Sequence, residues 1–272
     1  MTDLDLCAAQ YCSVAGDLNV NLDRHAQLMR LAAHHGVKFL LFPELSLTGY
    51  EPSLASELAL SADSQLLQPL RDLAKQSGMT TVVGVPLRQA GAEAVFIGAL
   101  VFGADGSQIT YTKQYLHPGE EVVFSPGQGG PLLAVSGEKI ALSVCADFSH
   151  ASHAEAAAQA GAGIYAASVL ISNNGYAHDS GLLQGYAQQH AFGVLMANHG
   201  GPSGGWACAG RSAFWSPDGE HIVSATGTGD CLVIARRRQG VWEGEVLQTL
   251  KSAHGINRAT EVVSLISPSH HC

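Results

Sequence analysis

Val37-Lys38-Phe39-Leu40-Leu41-Phe42-Pro43-Glu44 is an apolar run that stops at a proline and presents a carboxylate; Lys139-Ile140-Ala141-Leu142-Ser143-Val144-Cys145-Ala146-Asp147 has the same form with a thiol. Short, continuously apolar runs of this kind predict strands covered on both faces. Outward from them the pattern alternates. Residues 6–14 read as a strand, and residues 19–35 read as a helix in which Val20, His25, Leu28, Leu31 and Ala32 recur at helical spacing before Gly36. Residues 54–77 are helical in pattern. Residues 80–86, 94–102 and 109–112 read as strands, with Ala104-Asp105-Gly106 as a turn that allows a hairpin. Residues 118–131 are rich in Gly and Pro and form a loop long enough to be functional.

The second half repeats the scheme, with strands at 140–144, 163–170 and 193–197, helices at 152–160 and 180–190, and short strands near Ala213, Ile222 and Leu232. Strands alternating with helices predict a layered α/β fold. No low-complexity linker divides the 272 residues, so one domain over 1–272 is expected. With 46% hydrophobic and 14% charged residues, the chain can enclose a large core and a buried site.

Composition also removes whole classes of function. Net charge is −9, and apart from Arg236-Arg237-Arg238 the cations are scattered, so no basic face exists to neutralise a phosphate backbone. No nucleic-acid partner is expected. No apolar run approaches the roughly 20 residues that span a bilayer, and the start MTDLDL lacks a cationic segment followed by an apolar one, so no membrane association and a cytoplasmic location are expected. The six cysteines (Cys7, Cys12, Cys145, Cys208, Cys231, Cys272) are dispersed without a C-x-x-C pair, which is not a disulfide framework.

Open α/β sheets place ligand sites beyond the ends of their strands. Three such ends carry Glu44, Lys113 and Cys145. Each alone has a plain alternative: a solvated loop acid, a surface lysine, a small buried thiol. Together they offer a nucleophile, a carboxylate to take its proton, and a cation to meet an oxyanion, which is the equipment of acyl transfer.

At these residues the chain resembles the nitrilase superfamily of carbon–nitrogen hydrolases. LLFPELSLTGY around Glu44, YTKQYLHPGEEVVFSPG around Lys113 and ALSVCAD around Cys145 stand in the family's order and approximate spacing, and SAFWSPDGE resembles its late S-x-x-x-x-P-x-G turn. The similarity runs from the first strand to about Ala235. It implies an α-β-β-α sandwich that pairs into four-layer homodimers or higher oligomers, and no metal or organic cofactor. It assigns the catalytic acid, lysine and nucleophile to Glu44, Lys113 and Cys145. The second glutamate common in the family, four residues before the Phe of F-x-P-G, falls on Glu120, leaving Glu121 as its exposed neighbour. The implied reaction is hydrolysis of a small amide, an ω-amide or N-carbamoyl compound, through a cysteine thioester with release of ammonia. Aliphatic nitrile hydrolysis, the glutamine-hydrolysing half of a larger synthetase, and a non-catalytic binding or regulatory role on the same fold remain alternatives.

Just after the nucleophile, where many members carry an R-F-P-E-like stretch, this chain has Asp147-Phe148-Ser149-His150-Ala151-Ser152-His153. Substrate contacts are expected from Ala146, whose N–H is placed to meet the oxyanion, from Val169, and from Arg211 in the Gly-rich loop 204–212, where a guanidinium fork would hold a substrate carboxylate. His150, His153 and Cys145 are too few and too loosely spaced for a metal site. Gly127-Gln128-Gly129-Gly130 and Gly200-Gly201-Pro202 read as turns, since neither has phosphate-loop spacing.

Overall fold

The computed structural model describes residues 2–89, 91 and 93–249. The expected single domain over 1–272 runs past them, and Cys272 lies outside. The first half runs β1 (Leu4–Gln10), α1 (Leu18–His34), β2 (Phe39–Leu41), α2 (Ala55–Leu58), α3 (Gln68–Ser77), β3 (Thr80–Arg88), β4 (Val95–Phe102) and β5 (Gln108–Thr112). The second half runs β6 (Leu133–Val135), β7 (Glu138–Val144), α4 (Ala151–Gln159), β8 (Ile164–Val169), α5 (Tyr176–His190), β9 (Gly193–Asn198), β10 (Ala213–Trp215), β11 (His221–Ser224), β12 (Cys231–Arg238) and β13 (Val241–Gln248).

Two mixed sheets result, ordered β13-β12-β1-β2-β3-β4-β5 and β11-β10-β9-β8-β7-β6. Their centres are parallel, β1 to β2 to β3 in one and β7 to β8 to β9 in the other. Side chains of period two sort themselves into three apolar layers. Leu6, Ala8, Phe39, Leu41 and Val82 of one sheet meet Ile140, Leu142, Val144, Ile164 and Leu195 of the other. The alternate residues Cys7, Ala9, Leu40 and Val83 face outward against Leu28, Met29, Ala32 and Leu70 of α1 and α3. On the opposite outer face Ala141, Tyr165, Ala167 and Met196 pack on Ala154, Ala157, Leu183 and Ala187 of α4 and α5. The architecture is the expected α-β-β-α sandwich, and each fully buried Leu, Ile or Phe in these layers contributes roughly 1.5–3 kcal/mol.

Helix α1 shows how closely local chemistry sets a boundary. The Asp17 side chain accepts the Val20 N–H at 3.1 Å, starting the helix one residue before the expected point, and Gly36 at φ +77° turns the chain out of it. The stretch 54–77 departs from expectation, because it breaks between α2 and α3. Strand β3 outruns β2, and Leu60 pairs with its uncovered half: its N–H donates to Pro86 O at 3.0 Å and its O accepts from the Arg88 N–H at 2.9 Å. A helix through Leu60 would forfeit both bonds. Strands β6 and β13 also exceed the expected set; β13 is an exposed edge strand carrying Glu243 and Glu245, so no apolar run marks it. Among the described residues no helix is long and apolar enough to cross a membrane.

Candidate active site

Glu44 follows β2 through Pro43 and is 1% exposed. Its turn is held from several sides. Gly84 of β3 accepts the Leu47 N–H at 3.0 Å, the Ser168 hydroxyl of the other sheet donates to Phe42 O at 2.8 Å, and His199 Nε2 donates to Glu44 O at 2.7 Å. That last bond fixes the ring tautomer, and burial lowers the His199 pKa to about 4, so the ring is neutral. These groups leave the carboxylate little freedom.

Lys113 follows β5 and is completely buried. Its Nζ donates to Glu44 Oε1 at 2.7 Å and to Glu120 Oε1 at 2.8 Å. Glu120, 3% exposed in a short 3₁₀ turn (Glu120–Val122), also accepts the Tyr50 hydroxyl at 2.7 Å and the His117 N–H at 2.8 Å. Glu121 is exposed. A buried ammonium with three donors thus spends two on carboxylates and keeps one free. Two acids against one base leave the cluster with a net negative charge in low dielectric. Burial accordingly raises the Glu44 pKa, to about 7, with Glu120 adding to the rise and Lys113 opposing it. For Lys113, burial works against the charged form, but the neighbouring acids, Glu44 foremost, outweigh it and hold the pKa above the usual lysine value.

Cys145 follows β7 and opens the 3₁₀ segment Cys145–Ser149. Its φ of +44° is a left-handed conformation that non-glycine residues enter at a cost of order 1–3 kcal/mol. Asp147 sustains it. This fully buried acid accepts the Val144 N–H at 3.0 Å and the Tyr111 hydroxyl at 2.6 Å on Oδ2, and the Gln114 and Tyr115 N–H groups at 2.9 Å each on Oδ1. The Cys145 turn and the segment after Lys113 are therefore tied to one carboxylate. The Cys145 thiol points to Leu170 O at 3.7 Å, and burial followed by the Glu44 charge raises its pKa well above the usual thiol value. At rest the proton stays on sulfur, beside Glu44.

A cavity of about 310 Å³ opens onto this cluster. Glu44, Cys145, Glu120 and Ala146 line its inner part, with Tyr50, Phe148, Leu170 and Trp206 as walls and Ser149, Ser172, Gly175, Asp179 and His117 completing it. Sequence reasoning singled out Ala146 here. Two other expected contacts lie elsewhere. Val169 is fully buried against the helices α4 and α5, because strand alternation turns it outward; the next residue, Leu170, reaches the cavity. Arg211 is exposed and outside the cavity, its guanidinium stacked 5.2 Å from the Tyr176 ring centroid while the Tyr176 hydroxyl donates to Arg211 O at 2.9 Å. A carboxylate held there would not be held in the cavity.

His153 is enclosed between the Tyr111 and Tyr165 hydroxyls at 2.9 and 2.8 Å, and His150 stacks on Tyr115 at 3.8 Å. Neither ring is turned to Cys145. Among the described residues no group of three or more His, Cys, Asp or Glu is arranged to hold a metal ion. Residues that sequence reasoning passed over include Asp147, Tyr50 and His199, although Tyr50 and Asp147 stand within the quoted motifs around Glu44 and Cys145.

Two layered sheets with an acid, a lysine and a thiol gathered at their strand ends define a hydrolytic class of protein. The chain belongs to the carbon-nitrogen hydrolase family, whose sequence profile matches residues 6–243. It is similar to an (R)-stereoselective amidase of Pseudomonas sp., at 24% identity over 77% of this chain and 76% of that one, and to an omega-amidase of Danio rerio, at 26% over 79% and 81%. It superposes on the amidase from Nesterenkonia sp. AN1 with a TM-score of 0.79 and 27% identity, covering 87% of this chain and 91% of that one; in that structure the active-site cysteine carries the acetamide moiety of fluoroacetamide.

Proposed function

We propose that this carbon–nitrogen hydrolase cleaves a small amide through a thioester on Cys145, with Glu44 as the proton-transfer group and Lys113 as the charge stabiliser. One observation carries the reading: Glu44 Oε1 is taken by Lys113, Oε2 is buried without a hydrogen-bond partner, and the Cys145 thiol lies beside the carboxylate. A desolvated carboxylate oxygen facing a protonated thiol is placed to accept its proton as sulfur attacks.

The Glu44 carboxylate takes the thiol proton while the S–C bond forms at the amide carbonyl. The oxyanion is met by the third Lys113 donor and the Ala146 N–H, each such donor being worth about 3–4 kcal/mol in the transition state. Glu44 then passes the proton to the amide nitrogen as the C–N bond breaks and ammonia leaves. Water, deprotonated by the same carboxylate, attacks the thioester, and the proton returns to sulfur as the acid departs. Amide and water become carboxylic acid and ammonia. Glu120 holds Lys113 in line, and Tyr50 and the His117 N–H hold Glu120.

The test is ammonia release over short aliphatic amides, ω-amides, N-carbamoyl compounds and nitriles, with Cys145→Ala alongside. Turnover of amides by wild type alone supports the reading; turnover of nitriles in preference to amides would replace it. Similarity to an (R)-stereoselective amidase and to an omega-amidase is the reason to screen small amides first. Five unpaired thiols among the described residues support a reducing, cytoplasmic setting. The family resemblance supports a single domain and a homodimer or larger homo-oligomer, which light scattering at micromolar concentration decides.

A further inference from the structure

The cavity is unbalanced in charge. Among the described residues three carboxylates line it, Glu44 and Glu120 in its depth and Asp179 toward its mouth, and no Lys or Arg does; Lys113 sits behind the two deep acids with its charge already shared between them. Deep and outer acids differ in their engagement. Glu44 and Glu120 are at most 3% exposed and bonded to Lys113, whereas the Asp179 side chain is 28% exposed and has no Lys or Arg partner among the described residues.

Asp179 stands in the first turn of α5, where an acid commonly caps the helix. It does not do so here: Gly175 occupies the cap position and no side chain accepts the first-turn N–H groups. Its one hydrogen-bond partner among the described residues is the His178 ring, at 3.1 Å through Oδ1, and that ring is 81% exposed. Oδ2 lies beside Gly175, where a Cβ would come within 3.1 Å of it. Gly175 itself lines the cavity, so the missing side chain leaves the carboxylate open to the space above Cys145. Trp206, 46% exposed, lines the same cavity and offers an aromatic face to a cation.

We infer that Asp179 is a specificity-determining residue, selecting small amides that carry a protonated amine at the end remote from the scissile carbonyl. This rests on the proposed reaction at Cys145 and replaces the Arg211 carboxylate clamp with a site of the opposite sign. The carbonyl end sits against Cys145, the chain runs past Leu170 and Phe148, and the ammonium meets Asp179 and Trp206. An amide ending in a carboxylate meets repulsion from all three acids.

The probes are γ-aminobutyramide, its neutral isostere pentanamide, and succinamate. Wild type is expected to favour γ-aminobutyramide over pentanamide by roughly three- to tenfold in kcat/KM, mainly through KM, with succinamate below both. Asp179→Asn should lower kcat/KM for γ-aminobutyramide relative to pentanamide until the two amides are turned over equally well, and added salt should shrink the advantage in wild type. Preference for succinamate, or equal losses on all three amides in Asp179→Asn, overturns the inference. Calorimetric binding of the same three amides to Cys145→Ala protein reads the preference without turnover. If wild type hydrolyses none of them yet Cys145→Ala binds the cationic amide in an Asp179-dependent manner, the proposed reaction falls and the cation site stands. If pentanamide is hydrolysed but charge makes no difference to rate or binding, the site falls and the reaction stands.

Discussion

Asp147 accepts the Gln114 backbone N–H at 2.9 Å, which couples the turn carrying Cys145 to the chain leaving Lys113, although the two come from different sheets. With the Tyr115 and Val144 N–H groups and the Tyr111 hydroxyl, Asp147 satisfies four donors in a fully buried position. Asp147→Ala strands all four, and a buried unsatisfied group costs about 1–3 kcal/mol, so a loss of at least about 3 kcal/mol is expected. Asp147→Asn should not rescue it, because both carboxylate oxygens face donors and one would become an NH₂ group. Urea unfolding and kcat of both variants check this; a stable, fully active Asn variant would show that the two turns hold without the carboxylate.

Glu44 makes the enzyme's activity and its stability depend on pH in opposite senses. As the proton acceptor it must be ionised, so kcat/KM should fall as pH drops through about 7. For stability, the folded pKa, about 7, lies above the unfolded 4.5, so between these values the folded state binds more protons than the unfolded state. Stability therefore falls as pH rises across that window, by up to about 3 kcal/mol for a shift of this size. Glu44→Gln removes the titration and makes the cluster neutral. The expected result is an inactive protein whose unfolding free energy declines less than that of wild type between pH 5 and pH 8; identical slopes would place the raised group elsewhere.

Cys145→Ala removes the nucleophile while keeping the backbone's access to the φ of +44° that the turn imposes. Turnover should fall at least roughly a thousandfold, as when a covalent nucleophile is lost, with unfolding free energy within about 1 kcal/mol of wild type. Mass spectrometry after brief iodoacetamide treatment is the companion measurement, since the raised thiol pKa predicts slow alkylation through the neutral range. Rapid modification at pH 6 would contradict a thiol that rests protonated.

The central strands and the three strand-end residues were readable in the sequence because two-sided burial forces continuous apolar runs, and a polar residue at the end of such a run stands out. Glu120 came from the resemblance, and its place against Lys113 reflects a 3₁₀ turn that no periodicity reports. What the sequence hid was hidden for identifiable reasons. The break near Leu60 depends on an unpaired half of β3, a long-range vacancy. Val169 closes an apolar strand and Arg211 offers a guanidinium from a Gly-rich loop, but one residue of strand register turns Val169 away and stacking on Tyr176 draws Arg211 outside the cavity. Asp179 belongs to a helix expected to start only at residue 180, so its approach to the cavity could not be anticipated.

Gly84 offers a way to disturb Glu44 without touching any reacting group. It lies in β3 beneath the turn that follows β2, and a Cβ built on it would fall 2.3 Å from Leu45 N, 2.5 Å from Pro43 O and 2.9 Å from the Glu44 carbonyl carbon. Its φ is not positive, so alanine meets no backbone penalty there and the whole effect is steric. Overpacking of this kind typically costs about 1–3 kcal/mol. The backbone that must yield carries Glu44, whose Oε1 to Lys113 distance is 2.7 Å, so Gly84→Ala should lose activity out of proportion to its loss of stability. Gly36→Ala is the matched control. That glycine needs φ +77° at the end of α1 but has nothing within 4 Å of a built Cβ, so the substitution should cost about 1 kcal/mol through strain alone and leave kcat intact. The comparison is kcat against unfolding free energy for the two variants: a fall in kcat confined to Gly84→Ala ties the Glu44 position to catalysis, and a fully active Gly84→Ala would mean that β3, not the Glu44 turn, absorbs the methyl group.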